Sequence, residues 1–403
     1  YESMLQRIYR QIRSVDAETT VTVATSKSQV SSIRNQLGDS VGISIEPYRK
    51  DTFPAIALAT AYLHDIKKID IDEAVAVCPV DPYVDIDYFE TIKKLLDLAK
   101  ISDTNLTLMG IYPTYPSDKY GYIMPVSNDE ISEVSSFKEK PDKSTAQMYI
   151  NEGALWNGGV FAYKIGYVLN IARELLGTDD YYELYSNYEK FPKISFDYAV
   201  VEKEKKIKVV RFSGKWEDLG TWDSLTKVMH EYSIGEKIYN VSCSDTHIIN
   251  ELNIPILGIG LEKSVIVASQ DGILVSSKEA SKDIKEYVDE MKQEIRFAEK
   301  SWGAYEVLDV SDKSMTIKIS INANQHMSYH SHSMRDEIWT IISGTGKTIV
   351  DNMTQLIKPG DVITIQAGCR HTIIADQQGL KLIEVQLGKE ISAHDKEKYQ
   401  LEM

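Results

Sequence analysis

Between residue 1 and about residue 225 the chain alternates two hydrophobic periods, and this alternation restricts its fold more than any other feature. Residues 21–24 (Val-Thr-Val-Ala) and 43–46 (Ile-Ser-Ile-Glu) read as short strands. Residues 54–67 read as a helix. Ala55, Leu58, Ala59, Tyr62, Leu63 and Ile66 share one face, Pro54 lies in the first turn and Thr52 is the expected cap. Residues 74–78 form a continuous apolar run ending in Pro79-Val80-Asp81, as a strand buried on both faces should, and residues 105–109 repeat it. Strand and helix in alternation predict an α/β, Rossmann-like domain with a parallel sheet.

From about residue 235 the helical period fades. Short apolar strokes at 255–259, 264–268 and 272–275, separated by polar turns, predict a small β unit able to stack like a β-helix. The charged stretch 281–300 reads as a connecting helix. A strand-rich region with Gly344, Gly346, Gly360 and Gly368 at turns then predicts a small antiparallel barrel. The expected division is therefore 1–230, 231–300 and 301–403. With 403 residues the chain is long enough for two or three domains. No apolar run is long enough to span a membrane, and the first residues lack the pattern of a secretory signal. Cys78, Cys243 and Cys369 have neither paired nor metal-type spacing, which suits a reducing, cytoplasmic compartment. A net charge of −15 argues against a nucleic-acid partner. It leaves room for an anionic small substrate bound through a local cation.

The barrel region carries a ligand pattern. Residues i and i+2 of a strand face one side, so His330 and His332 can both point into the barrel. Glu337 and His371 can join them from neighbouring strands. Three imidazoles and a carboxylate suit a divalent metal such as Zn2+, Mn2+ or Co2+. Five of the eight histidines lie between 326 and 394. With Gly344, Gly360 and Gly368 in order, the pattern resembles the two cupin motifs. The first matches throughout. The second has Gln366 in place of the usual proline and Ala375 in place of asparagine, with every ligand kept.

Seven ordered segments resemble the mannose-1-phosphate guanylyltransferase family. They are Glu46-Pro47-Tyr48-Arg49-Lys50-Asp51-Thr52-Phe53-Pro54-Ala55, Cys78-Pro79-Val80-Asp81-Pro82, Lys119-Tyr120-Gly121-Tyr122-Ile123, Phe137-Lys138-Glu139-Lys140-Pro141-Asp142, Trp156-Asn157-Gly158-Gly159-Val160-Phe161, Phe196-Asp197-Tyr198-Ala199 and Trp216-Glu217-Asp218-Leu219-Gly220. The region from Trp302 to Gln386 is similar to the cupin half of enzymes fused to a type II mannose-6-phosphate isomerase, through Ser343-Gly344-Thr345 and Ile383-Glu384-Val385-Gln386.

The resemblance implies GMP transfer from GTP to mannose 1-phosphate, with release of pyrophosphate. Such a step needs in-line positioning and cations. It implies Asp81 and Asp218 as the Mg2+ pair, Lys140 as a charge for the sugar phosphate, and Gly121, Glu139, Asn157 and Asp197 as the sugar pocket. Asp81 is independently well placed, just past a buried strand at the edge where open α/β sheets bind ligands. A homo-oligomer, specifically a dimer, is expected of a cupin. The family's first strand and Gly-rich phosphate loop precede anything in this sequence. Loss of a central strand would expose a sheet edge, so the expectation is a segment of roughly 25–35 residues upstream of those given. Pro82 replaces a family histidine. The isomerase half departs further. The run His330-Ser331-His332-Ser333-Met334-Arg335-Asp336-Glu337 carries Met334 at the third position, and the tail Ser392-Ala393-His394-Asp395-Lys396 offers lysine where an arginine is usual. Turnover of mannose 6-phosphate is therefore the open half of the reading. Two alternatives stand beside it: a metal isomerase with an inactive first half, and a non-catalytic sugar-nucleotide-binding protein.

Overall fold

A computed structural model describes residues 2–101, 103–291, 296–389, 391 and 395–400. Two compact units separate, Tyr1–Gly220 and Thr221–Met403.

The strands of the first unit are β1 (Thr22–Ser26), β2 (Gly42–Glu46), β3 (Ala74–Val77), β4 (Pro82–Val84), β5 (Leu106–Ile111), β6 (Tyr122–Pro125), β7 (Ile131–Lys138), β8 (Leu155–Lys164), β9 (Ile207–Phe212) and β10 (Trp216–Asp218). β1 and β2 pair in parallel, with Val23 opposite Ile43, against a small core containing Leu5, Tyr9 and Ile33. The larger sheet runs β3-β8-β5-β9-β7-β6. All six residues of β5 are buried, and they divide by parity. Met109 and Ile111 join Tyr88, Leu95, Val210 and Phe212 in one core. Leu106 and Leu108 join Phe53, Phe196, Val200 and Val209 in the other. Each such side chain contributes about 1.5–3 kcal/mol relative to exposure.

The sheet is mixed, not purely parallel. β5 and β9 are parallel, but β8 runs antiparallel to both β3 and β5. A wholly apolar run reports cover on both faces and is silent on its neighbours' direction. The helix expected at 54–67 is Thr52–Ala61, continued by a wider turn over Tyr62–Ile66. Its cap is Asp51, whose carboxylate accepts the Thr52 N–H at 2.8 Å. The Thr52 hydroxyl accepts the Phe196 N–H, also at 2.8 Å, so it ties this helix to the segment carrying Asp197.

In the second unit, β11 (Ser233–Gly235), β12 (Ile238–Val241), β13 (His247–Asn250), β14 (Ile256–Ile259) and β15 (Ser264–Ser269) form short parallel rungs. β11 pairs with β13, β13 with β15, and β12 with β14. β16 (Gly272–Ser277) closes them antiparallel. The helix expected over 281–300 is a 3-10 turn at Ala280–Asp283 followed by one short α-helix at Ile284–Glu290. Residues 292–295 lie outside the described residues. β17 (Phe297–Lys300) then pairs antiparallel with β18 (Gly303–Ser311). Charged residues with helical propensity are overridden there by a sheet edge to pair with.

The remaining strands are β19 (Ser314–Ile321), β20 (His330–Ser331), β21 (Arg335–Val350), β22 (Met353–Ile357), β23 (Val362–Ile365), β24 (His371–Gly388) and β25 (Glu397–Lys398). β24 pairs antiparallel with β19, β20 and β21, around Trp339, Ile341, Ile363, Ile373 and Leu382. Gly344 and Gly346 are not at turns. Both lie inside β21, opposite Leu380 and Ala375, where the register shifts between them, and a Cβ on Gly346 would sit 2.1 Å from the Ile374 carbonyl oxygen.

Candidate functional site

In the first unit, Asp81 is exposed in the link between β3 and β4, and Asp218 is the half-buried last residue of β10. β10 pairs antiparallel with β4, and the ladder sets Asp218 opposite Pro82, the residue next to Asp81. The two aspartates therefore stand one step apart across a strand pair, although 136 positions separate them in the chain (218 − 81 − 1). Asp218 is braced from two sides. Its Oδ1 accepts the Gly220 N–H at 2.8 Å and its Oδ2 accepts the Tyr120 hydroxyl at 3.3 Å. Each oxygen keeps lone-pair capacity for a hard cation.

Tyr120 connects this pair to a second cluster. Its ring packs on Trp156 at 4.9 Å and on Trp216 at 5.5 Å, and both indole N–H groups are buried without a hydrogen-bond partner among the described residues. Next along the chain from Tyr120 and Trp156 come Gly121 and Asn157. The Asn157 backbone N–H donates to the Gly121 carbonyl at 2.8 Å. The Asn157 side-chain amide donates to Asp197 Oδ1 at 2.6 Å. Lys140, held at φ 44°, sets its Nζ 2.9 Å from Glu139 Oε1. Glu139 is buried, and its Oε2 has no hydrogen-bond partner among the described residues. A Cβ on Gly121 would lie 2.5 Å from that oxygen, so only glycine leaves the carboxylate its place. Burial, reinforced by the charge of Glu139, pushes Asp197 up to about 6. The ion pair with Glu139 raises Lys140. Gly121, Glu139, Lys140, Asn157 and Asp197 thus form one cluster.

In the second unit, His330, His332 and His371 are each at most 3% exposed, and one ring nitrogen of each lies within 4.8 Å of the others. Every ring is oriented by a main-chain carbonyl at Nδ1: Ser328 for His330 at 2.6 Å, Cys369 for His371 at 2.9 Å, and Asp395 for His332. A carbonyl can only accept, so each Nδ1 carries the proton and each Nε2 presents a lone pair. Glu337 lies 3.3 Å from both His332 Nε2 and His371 Nε2. His371 Nε2 is buried without a hydrogen-bond partner among the described residues. Two acceptors facing each other in a buried space call for a cation between them, and this donor set fits a divalent metal. Burial pushes His330 down to about 2 and His332 down to about 4, so both rings are neutral ligands at neutral pH. Burial would raise the Glu337 carboxyl, but its neighbours, the Arg335 guanidinium among them, hold it down. His394 lies outside the described residues.

A family model described as Nucleotidyl transferase matches residues 1–234. The chain belongs to the nucleotidyl transferase family. A second model, Mannose-6-phosphate isomerase C-terminal, matches residues 288–400 of this nucleotidyl transferase. The mannose-1-phosphate guanylyltransferase of Escherichia coli K12 is 27% identical, covering 98% of this chain and 90% of the relative. The xanthan biosynthesis protein XanB of Xanthomonas campestris (strain B100) is also 27% identical, covering 98% and 90%. A crystal structure from Thermus thermophilus, described as a mannose-1-phosphate geranyltransferase, aligns at a TM-score of 0.61 and 25% identity, covering 72% of this chain and 89% of that one. No helix among the described residues is long and apolar enough to cross a membrane.

Sequence reasoning missed Tyr120, Trp156 and Trp216 as supports, and Arg335 as a neighbour of the buried histidine cluster. The three aromatics lie inside motif segments but read as core. Arg335 reads as a surface charge on a strand end, yet it is 8% exposed.

Proposed function

We propose that this nucleotidyl transferase transfers GMP from GTP to mannose 1-phosphate, giving GDP-mannose and pyrophosphate. The observation that supports the proposal is the ladder between β4 and β10, which pairs Asp218 with Pro82, the neighbour of Asp81, while Glu139, Lys140, Asn157 and Asp197 form a second polar cluster. Asp81 and Asp218 hold Mg2+, which offsets the charge of the phosphates. Lys140 holds the sugar phosphate as a point charge. The unpartnered Oε2 of Glu139 accepts a sugar hydroxyl, and Asn157, fixed by Asp197, orients the same ring. The sugar-phosphate oxygen, held in line, attacks the α-phosphorus of GTP as pyrophosphate departs. Formation of GDP-mannose from GTP, against ATP and UTP controls, tests the reading. A preference for another nucleotide or sugar phosphate would overturn it.

The cupin carries a second proposal, interconversion of mannose 6-phosphate and fructose 6-phosphate at a Zn2+, Mn2+ or Co2+ centre held by His330, His332, Glu337 and His371. Its support is the cluster of three imidazoles, two of which lie 3.3 Å from one buried carboxylate. Metal analysis and a coupled isomerase assay test it; turnover that survives chelation would count against it. The three-part division at about residues 230 and 300, a cytoplasmic location and a homodimer complete the proposal, the last open to sedimentation analysis.

A further inference from the structure

We propose that Arg335 is the resident cation of the metal-free cupin, and that a divalent ion enters this centre by displacing it. This rests on reading the three histidines and Glu337 as a metal centre.

Arg335 is the first residue of β21, follows the exposed Met334, and is itself 8% exposed. Its guanidinium reaches inward. Nη2 lies 3.0 Å from His332 Nε2, and Nε lies 3.3 Å from Glu337 Oε1. His332 has committed its Nδ1 proton to the Asp395 carbonyl, so its Nε2 can only accept, and Arg335 is the donor. A guanidinium does not give up its proton at any ordinary pH. Two of the four ligating groups are therefore occupied by protons of a permanent cation. They are the same lone pairs a metal would use.

The charge count gives the consequence. Arg335 balances Glu337 at contact distance, while the buried Glu384 and the nearby Lys396 add a further carboxylate and a further cation. A divalent ion beside an unmoved guanidinium would put two cations on one imidazole and one carboxylate in a space almost without water. The repulsion there is far larger than in bulk solvent. The guanidinium has to leave His332 and Glu337 when the ion arrives. The chain thus carries an internal competitor that keeps the empty centre folded and weakens its hold on metal. A histidine-lined site lacking such a cation would be left with an unbalanced carboxylate when empty.

The test is a Co2+ titration of the purified full-length protein against a competing chelator, read by the visible spectrum of bound cobalt. Wild type is compared with Arg335→Met, which keeps length and removes charge, and with Arg335→Lys. One charge-assisted hydrogen bond set against the metal predicts binding about 10- to 100-fold tighter in Arg335→Met. The melting temperature of the metal-free variant should fall, so that the gap between empty and loaded forms widens. Arg335→Lys, a point charge without the fork, should fall between the two proteins in affinity. Should Arg335→Met fail to fold without metal, the Arg335→Lys titration decides alone. Equal or weaker cobalt binding by the variants, with an unchanged spectrum, would overturn the proposal while leaving the metal centre standing. Absence of cobalt binding in all three proteins would overturn the metal centre and this inference with it.

Discussion

The two sites of this chain are built in opposite ways. The cupin cluster is dry: His330, His332, Glu337 and His371 are 1–3% exposed, sit on or beside barrel strands, and each histidine is fixed by a carbonyl. The aspartate pair of the nucleotidyl transferase unit is open: Asp81 is exposed and Asp218 only half buried, on short strands braced by an aromatic stack. The difference follows from what each must hold. A single small ion can be preorganised by buried lone pairs. A triphosphate and a sugar phosphate bring their own charges and need room to enter and leave, so rigidity is placed behind the carboxylates, in Tyr120 and Trp216, and not around them.

Substitutions on either side put this contrast at risk. Glu337→Ala strips the buried carboxylate from Arg335, and the metal-free cupin should lose about 3–5 kcal/mol in denaturant unfolding; an unchanged midpoint would mean the cluster is wetter than described. Lys140→Met, on the open side, leaves the buried Glu139 without its half-exposed partner and should lower the unfolding midpoint by less than Glu337→Ala does. It should lower kcat/KM for mannose 1-phosphate by about 10- to 100-fold, the scale of one charge-assisted contact. Gly121→Ala places a methyl group on Glu139 Oε2 and on the Phe137 ring. The expected cost is about 1–3 kcal/mol of overpacking, with KM for the sugar phosphate rising more than kcat falls.

The smallest effect concerns pH. Asp197 titrates at about 6 in the folded chain against an ordinary value of 3.8. Between these values the folded state binds the extra proton. The stability it contributes is present below pH 3.8 and is lost as pH rises through 6. The slope is at most about 1.4 kcal/mol per pH unit. Asp197→Asn should flatten the stability curve across that window, and an unchanged curve would remove Asp197 from the buried cluster.

The same contrast explains what could be seen in the sequence. The convergence of the cupin cluster was legible because strand parity puts His330 and His332 on one side, and a motif supplied Glu337 and His371. The pairing of Asp81 with Asp218 rested on the family resemblance alone, because it depends on a register between β4 and β10 that no local period encodes. The sheet's strands were visible as apolar runs, whereas the reversed direction of β8 was not. Asp51, not Thr52, caps the helix because either residue suits the position and the Phe196 N–H takes the Thr52 hydroxyl. Residues 297–300 left the expected helix because β18 offered them an edge. Arg335 escaped notice because a lone arginine at a strand end normally faces water, and only the fold turns it inward.

Guanylyl transfer at the Asp81–Asp218 pair is decided by magnesium-dependent pyrophosphate release from GTP and mannose 1-phosphate, measured on the full-length protein and its Asp81→Asn and Asp218→Asn variants. GTP-specific release that falls by about 10²-fold or more in each variant, with both still folded, is the predicted result. Release undiminished in both variants, or none from the folded wild type with any nucleoside triphosphate and sugar phosphate, would contradict it.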